Sequence, residues 1–335
     1  MRAPGFWDRD GPLPRLLSPL GMVYAAATAR RAARPGLRLP VPVISVGNLS
    51  AGGTGKTPVV MDLMERLSSR GISAHVISRG YGGRAAGPVR VDPSVHPAAE
   101  VGDEPLLLAA WGPVWVSRDR AAGGTVAVEA GAEALVLDDA HQNPALAKDL
   151  SIVVVDAEAG FGNGCCIPAG PLREPVGNGL ARAGLVALLG PPEARAARRA
   201  TIPAIPIAEG ALAPLPTGMD WGGLRAVAFA GIGRPSKFFA SLRAEGADIV
   251  RAVPLADHQP ISTVLMQRLA AEAHALGARL VCTEKDAVRV PDEFRDEVLV
   301  LPVRVSWSDA APLDAALDRI LSGLSESRAG GTPQP

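Results

Sequence analysis

The chain has 335 residues, 47% hydrophobic and 20% charged, with Lys+Arg and Asp+Glu both at 34. That length allows two domains of about 100–200 residues each, and the balanced charge gives no footing for nucleic-acid binding. Three cysteines, two of them adjacent (Cys165, Cys166), exclude a disulfide framework and fit a reducing compartment. No apolar run approaches the about 18 residues of a membrane span and no cleavable leader pattern opens the chain, so a cytoplasmic, non-integral protein is expected.

Residues 1–40 carry seven arginines against Asp8 and Asp10, a net +5. Leu13, Leu16, Leu17, Leu20 and Tyr24 recur near helical spacing ahead of Arg30, Arg31, Arg34 and Arg38. A basic amphipathic helix suits an anionic membrane surface; a helix packed on its own domain explains the same pattern, and the residues alone favour this second reading. Apolar, β-branched runs then alternate with helical patterns. Strands are expected at Val41–Val46, Ala74–Ser78, Val114–Ser117, Ala134–Leu137, Ile152–Val155 and Leu185–Leu189, with helices at Thr57–Arg70 and Asp119–Glu129. Such alternation predicts a mainly parallel sheet covered by helices on both faces. A Pro- and Ala-rich stretch over 201–223 reads as a linker between a first domain, 41–200, and a second α/β domain, 224–325. The second domain should hold strands at Ala226–Ala230, Asp248–Val253, Arg279–Cys282 and Val298–Val303, and helices at Ser236–Glu245, Ile261–Leu276 and Ala311–Leu321; residues 326–335 read as a disordered tail.

Between the first strand and the first helix lies Ser50-Ala51-Gly52-Gly53-Thr54-Gly55-Lys56-Thr57. This is a phosphate-binding loop with serine where the strict G-x-x-x-x-G-K-[ST] pattern has its first glycine. Gly52, Gly53 and Gly55 let successive N–H groups turn toward phosphate oxygens, and the helix adds its positive end. Lys56 would reach the β- and γ-phosphates and Thr57 would hold Mg²⁺. A carboxylate should stand near the metal at a strand end. Asp138–Asp139 is favoured over Asp156, since two adjacent acids repel unless a cation sits between them. Asp103, in "VGDEP", reads by itself as a helix cap, and His258, in "ADHQP", as a solvated loop histidine. Arg79, Arg118, Arg120 and Arg173 offer guanidinium forks to anionic groups.

Eight ordered motifs between about Trp7 and Arg289 resemble the tetraacyldisaccharide 4′-kinase family: "VISVGNLSAGGTGKTP", "SRGYGGR", "VGDEPLLLA", "LVLDDAHQNP", "VVVDAEAGFGNGCCIPAGPLREP", "FAGIGRPSKFF", "ADHQP" and "TEKDAVR". The resemblance implies two α/β/α sandwich domains, the first a P-loop kinase core, joined by a short β-stranded linker with catalysis in the cleft between them. It implies transfer of the γ-phosphate of ATP, with Mg²⁺, to the 4′-hydroxyl of tetraacyldisaccharide 1-phosphate at the cytoplasmic face of the inner membrane. The N-terminal helix would meet the bilayer. Carried over motif by motif, Asp103 becomes the base, His258 its partner from the second domain, and Asp138, Asp139 and Glu174 the acids near Mg²⁺. One departure stands out: the family's D-D-G-F-Q-H reads Asp138-Asp139-Ala140-His141-Gln142-Asn143 here. Asn143 cannot carry a proton or a charge at neutral pH, and His141 is a weak substitute. A P-loop switch ATPase acting on a protein partner, or a membrane-binding protein with a decayed loop, are the rival expectations.

Overall fold

The structure, a computed structural model, describes residues 4–329. Eight strands come first: β1 (Val43–Gly47), β2 (Ala74–Ser78), β3 (Val89–Arg90), β4 (Val114–Val116), β5 (Ala134–Asp138), β6 (Leu150–Asp156), β7 (Leu185–Leu189) and β8 (Ile207–Pro214). Four more, β9 (Arg225–Ala230), β10 (Asp248–Pro254), β11 (Arg279–Thr283) and β12 (Val298–Leu301), form an all-parallel sheet in the order β10-β9-β11-β12. The last strand, β13 (Val303–Asp309), returns to the larger sheet, whose order is β13-β8-β7-β6-β1-β5-β2-β4-β3. Only its edge strands, β3 and β13, run antiparallel among the described residues.

The central strands read "VISVG", "ALVLD", "LSIVVVD" and "LVALL" and are buried at every position. Continuous apolar runs of this kind belong to parallel strands covered on both faces. Helices α1 (Pro12–Ala32), α2 (Lys56–Ser69), α3 (Ala98–Val101), α4 (Asp103–Leu108), α5 (Arg120–Glu129), α6 (Val176–Leu180) and α7 (Pro192–Arg199) surround the larger sheet. On the smaller one, α8 (Pro235–Ala244) supplies Phe238, Phe239 and Leu242 to one face and α9 (Thr263–Ala275) supplies Met266 and Leu269 to the other. Two elements follow: the one-turn α10 (Glu284–Ala287) and α11 (Ala311–Ala329).

The expected boundary of the second domain shifts. The stretch read as a linker contains β8, which pairs with β7 and β13 inside the larger sheet. The strand expected over Val298–Val303 divides at Pro302, which has no N–H to give a ladder. β12 therefore stays on the smaller sheet while β13 crosses to the larger, and Arg304 pins the crossing by donating to both oxygens of Glu284 at 2.7 and 3.0 Å. α11 follows, packing Leu313 and Leu317 into the core that α2 fills with Val59, Val60, Leu63 and Leu67. It runs past the expected end at Leu321 to Ala329, so part of the expected disordered tail is helical and residues 330–335 lie outside those described.

Leu317 is fully buried in this shared core. Leu317→Ala should cost about 2–5 kcal/mol, and hydrogen exchange should show the lost protection in α2 and β8. Protection lost instead in β9–β12 would mean that α11 belongs with the smaller sheet.

Candidate active site

β1 delivers the chain into the Gly-rich loop, and α2 begins at Lys56. Gly52 and Gly55 have φ of 126° and 90°, conformations that a Cβ disfavours. Ser50 has no such requirement: among the described residues only Asp139 and His258 combine a side chain with positive φ. Serine at the first position therefore leaves the loop's backbone unstrained. The loop is strapped from one side, with Ser50 bridging Leu172 and the Ala51 N–H donating to the Pro171 carbonyl at 2.7 Å. From below, the Asn48 amide donates to the Gly52 carbonyl at 3.3 Å and the Thr54 hydroxyl at 3.1 Å. Thr54 thus faces inward, while Ala51, Gly52, Gly53 and Lys56 face a cavity of about 730 Å³. Thr57 sits half-buried in the first turn of α2.

β5 runs beside β1 and places Asp138 at the same end of the sheet. Its buried carboxyl accepts from the Ser78 hydroxyl at 3.1 Å. Burial, with the negative charges of Glu104 and Asp139, pushes its pKa up to about 7. Asp139 turns into the left-handed region at φ 45° and meets Arg173, whose Nη1 donates to both oxygens at 2.9 and 3.0 Å. Lys56 Nζ lies 3.6 Å away. Burial opposes the ionisation of Asp139, but Lys56 and Arg173 outweigh it and hold the carboxyl below its ordinary value. Arg120 is buried and spends its Nη2 on the backbone carbonyls of Asp138 and Asp139, at 2.9 and 3.1 Å. It therefore shapes the turn that carries the acids. Arg79 and Arg118 stand on the exposed wall of the cavity.

Two acids weighed from the sequence lie elsewhere. Glu174 is fully buried, held by Arg182 on both oxygens at 2.8 Å and by Gln142 at 3.0 Å, and it does not line the cavity. It reaches the cavity only through Gln142, which does line it. Asp156 caps its own turn with one oxygen and receives Arg234 and Lys237 of the second sheet on the other, both at 2.9 Å. The departure from the family motif also resolves. His141 is buried between the Ser151 hydroxyl (2.8 Å) and the Gly179 carbonyl (2.9 Å), and burial lowers its pKa to about 4. It is a neutral core histidine. Asn143 does line the cavity, with its Oδ1 accepting the Ala145 N–H at 2.9 Å.

The far end of the cavity is built across both sheets. Gly102, at φ 91°, precedes α4; a Cβ there would stand 2.7 Å from the Tyr81 carbonyl, so the loop after β2 and the start of α4 can touch only at a glycine. Asp103 follows, buried, and its Oδ2 faces His258 Nδ1 at 3.0 Å and Arg289 Nε at 3.2 Å. His258 sits at φ 57° and meets the Tyr81 ring edge-on at 5.0 Å. Lys285 Nζ lies 3.0 Å from Glu104 Oε1 and 3.2 Å from His258 Nε2. Arg289 is itself fixed by the buried Asp286 and by the Gln259 carbonyl. Lys285 and Arg289 had no assigned role in the sequence reading, although their i, i+4 spacing in "TEKDAVR" places them on one side of a helical turn. Three residues of α1 border the same cavity: Tyr24 and Arg31, which belong to the expected amphipathic helix, and Thr28, which had no assigned role.

The family model described as "Tetraacyldisaccharide-1-P 4′-kinase" matches residues 13–322. The chain belongs to the tetraacyldisaccharide 4′-kinase family. Among curated relatives, the tetraacyldisaccharide 4′-kinase of Dinoroseobacter shibae is 61% identical over 96% of this chain and 98% of its own length. That of Rhodospirillum rubrum is 54% identical over 96% and 99%. Among solved structures, the "apo" form LpxK from Aquifex aeolicus in complex with ATP superposes with a TM-score of 0.74. It is 26% identical and covers 92% of this chain and 99% of that one. The family's two-part α/β architecture and P-loop kinase fold are those described above.

The raised carboxyl of Asp138 has a pH signature. In the nucleotide- and metal-free protein the native state binds this proton more tightly than the unfolded chain. Stability is therefore undiminished below the unfolded value near 4, falls as pH rises, and carries the full penalty above about 7. Asp138→Asn should raise Tm at pH 8 and lose that advantage toward pH 4. A gain that does not vary with pH would contradict the assignment.

Proposed function

We propose that the chain transfers the γ-phosphate of ATP to the 4′-hydroxyl of tetraacyldisaccharide 1-phosphate, forming lipid IVA, from the cytoplasmic face of an anionic membrane. One observation carries the reading: a single cavity runs from Lys56 on the phosphate loop to His258 and Glu104, where the Asp103–His258 pair closes across the two sheets. In this reading the loop amides and Lys56 hold the β- and γ-phosphates, and Asp103 accepts the proton of the sugar hydroxyl while His258 orients its carboxylate. Arg79, Arg118 and Arg173 hold anionic groups along the wall. The chemistry asked of the protein is mostly positioning and charge neutralisation, as phosphoryl transfer requires.

Mg²⁺ fits the residues present. A buried carboxyl pushed toward neutrality by neighbouring negative charge, as Asp138 is, is one that a cation would relieve. Asp138 and the Thr57 hydroxyl would hold the ion, with Asp139 nearby. Among the described residues no group of three or more acidic, His or Cys side chains gathers as a metal cage, which suits an ion bound largely through phosphates and water. When bound, it would neutralise charge on the phosphate oxygens.

For the membrane seat, α1 docks through small residues. Pro14, Gly21 and Thr28 are buried, and a Cβ on Gly21 would come within 2.8 Å of the Cys166 carbonyl. Its large apolar residues Leu13, Leu16, Leu20, Met22 and Val23 are exposed, the reverse of a helix packed by its apolar face, and Arg30, Arg31 and Arg34 follow them. An apolar stripe flanked by arginines suits an interfacial helix. No helix among the described residues is long and apolar enough to cross a membrane. Because Tyr24, Thr28 and Arg31 border the cavity, the headgroup can reach the site while the acyl chains stay in the bilayer.

Labelled γ-phosphate should pass from ATP to tetraacyldisaccharide 1-phosphate in mixed micelles, and Lys56→Ala or Asp103→Ala should each lower kcat by about 10²–10⁴-fold. ATP hydrolysis with no lipid product would reject the reading. Leu16→Asp combined with Leu20→Asp should abolish flotation with phosphatidylglycerol vesicles and leave the fold intact; unchanged flotation would reject the membrane role of α1.

A further inference from the structure

His258 is ringed by groups from four elements. α4 brings Asp103 and Glu104; α10 and the residues just after it bring Lys285 and Arg289; Asp257, on its own turn, lies 3.8 Å from Nε2, and Tyr81 approaches from the loop after β2. Which ring nitrogen carries the proton follows from the donors and acceptors in this shell. A lysine ammonium has three N–H donors and no acceptor. Lys285 remains an ammonium: burial opposes its charge, but Glu104, seated on Nζ at 3.0 Å, with Asp257 and Asp103 more than offsets that and raises its pKa. At 3.2 Å from an obligate donor, His258 Nε2 has to accept. The ring proton is then left on Nδ1, where the Asp103 carboxylate stands 3.0 Å away as its acceptor.

We propose that Lys285 is a positioning residue of this site: seated on Glu104, it engages the Nε2 lone pair and fixes His258 as the neutral Nδ1–H tautomer that donates to Asp103. The consequence for a base is direct. An imidazolium against Asp103 would stabilise the carboxylate and weaken it as a proton acceptor, whereas a neutral Nδ1–H orients the carboxylate at less cost to its basicity. Glu104 belongs to the larger sheet and Lys285 to the smaller, so the tautomer is set only when the two sheets are together. The catalytic consequence rests on the phosphoryl-transfer reading. The tautomer itself does not, and it is measurable without substrate.

The test is ¹⁵N NMR of the imidazole nitrogens in the full-length protein at pH 8, with the His258 signals identified by their loss in His258→Asn. The wild type should show a protonated Nδ1 and an unprotonated Nε2. Lys285→Arg, which again presents only donors, should keep that pattern. Lys285→Met should lose it, through protonation at Nε2, and should lower kcat for lipid phosphorylation by roughly tenfold or more with KM for ATP unchanged. A wild-type ring protonated on Nε2, or a Lys285→Met ring whose Nε2 stays unprotonated, would overturn the proposal. The expected spectra in a protein that phosphorylates no lipid would uphold the tautomer and overturn the kinase reading instead.

Discussion

An acid carried by the larger sheet's side meets an imidazole carried by the smaller sheet's side at 3.0 Å, and this contact joins the two parts at one end of the cavity above the phosphate loop. Asp103 is buried, and a buried carboxylate is tolerable only with partners. Two of its partners, His258 and Arg289, come from the smaller sheet. The neighbouring Glu104–Lys285 pair crosses the same seam, and so do Arg234 and Lys237 to Asp156. Charge pairs of this kind add little to net stability once desolvation is counted. Their larger effect is to fix how the sheets face one another, because separating them leaves Asp103 short of its partners.

The left-handed residues occur where this arrangement needs them. Asp139 and His258 are the only non-glycine residues with positive φ among those described, and both line the cavity. Such conformations cost about 1–3 kcal/mol each and persist when the surroundings hold them. Asp139 is held by Arg173 on its carboxylate and Arg120 on its carbonyl. The His258 N–H is tied to the Gly231 carbonyl at 3.1 Å, and its ring is held by Asp103 and Lys285. In each case the surrounding hydrogen bonds point a side chain into the space above the phosphate loop.

What the sequence made legible is what local chemistry dictates. Buried parallel strands read as unbroken apolar runs, and the loop read as glycines between a strand and a helix; Ser50 is tolerated because its backbone makes no special demand. Features set by distant partners were opaque. Nothing local in "VRVSWSD" says that it leaves its neighbour β12 to pair with β8, about 90 residues earlier. Nothing local to Glu174 says that Arg182, eight positions on, contacts both of its oxygens. His141 looked like a stand-in for the motif's histidine, yet it fills the aromatic position's core space, and its Cβ approaches Gly47 too closely for any side chain there. The pairing of Asp103 with His258 came from motif resemblance alone, since no periodicity links residues 155 apart.

The most direct test of this account is a double-mutant cycle on lipid phosphorylation with Asp103→Asn, His258→Asn and the combined variant. If the two act as one unit across the sheets, each single change should remove most of the activity and the second should cost little more, leaving a coupling above about 1 kcal/mol. Losses that simply multiply would mean that the two residues work independently, and that the seam between the sheets does not assemble the site.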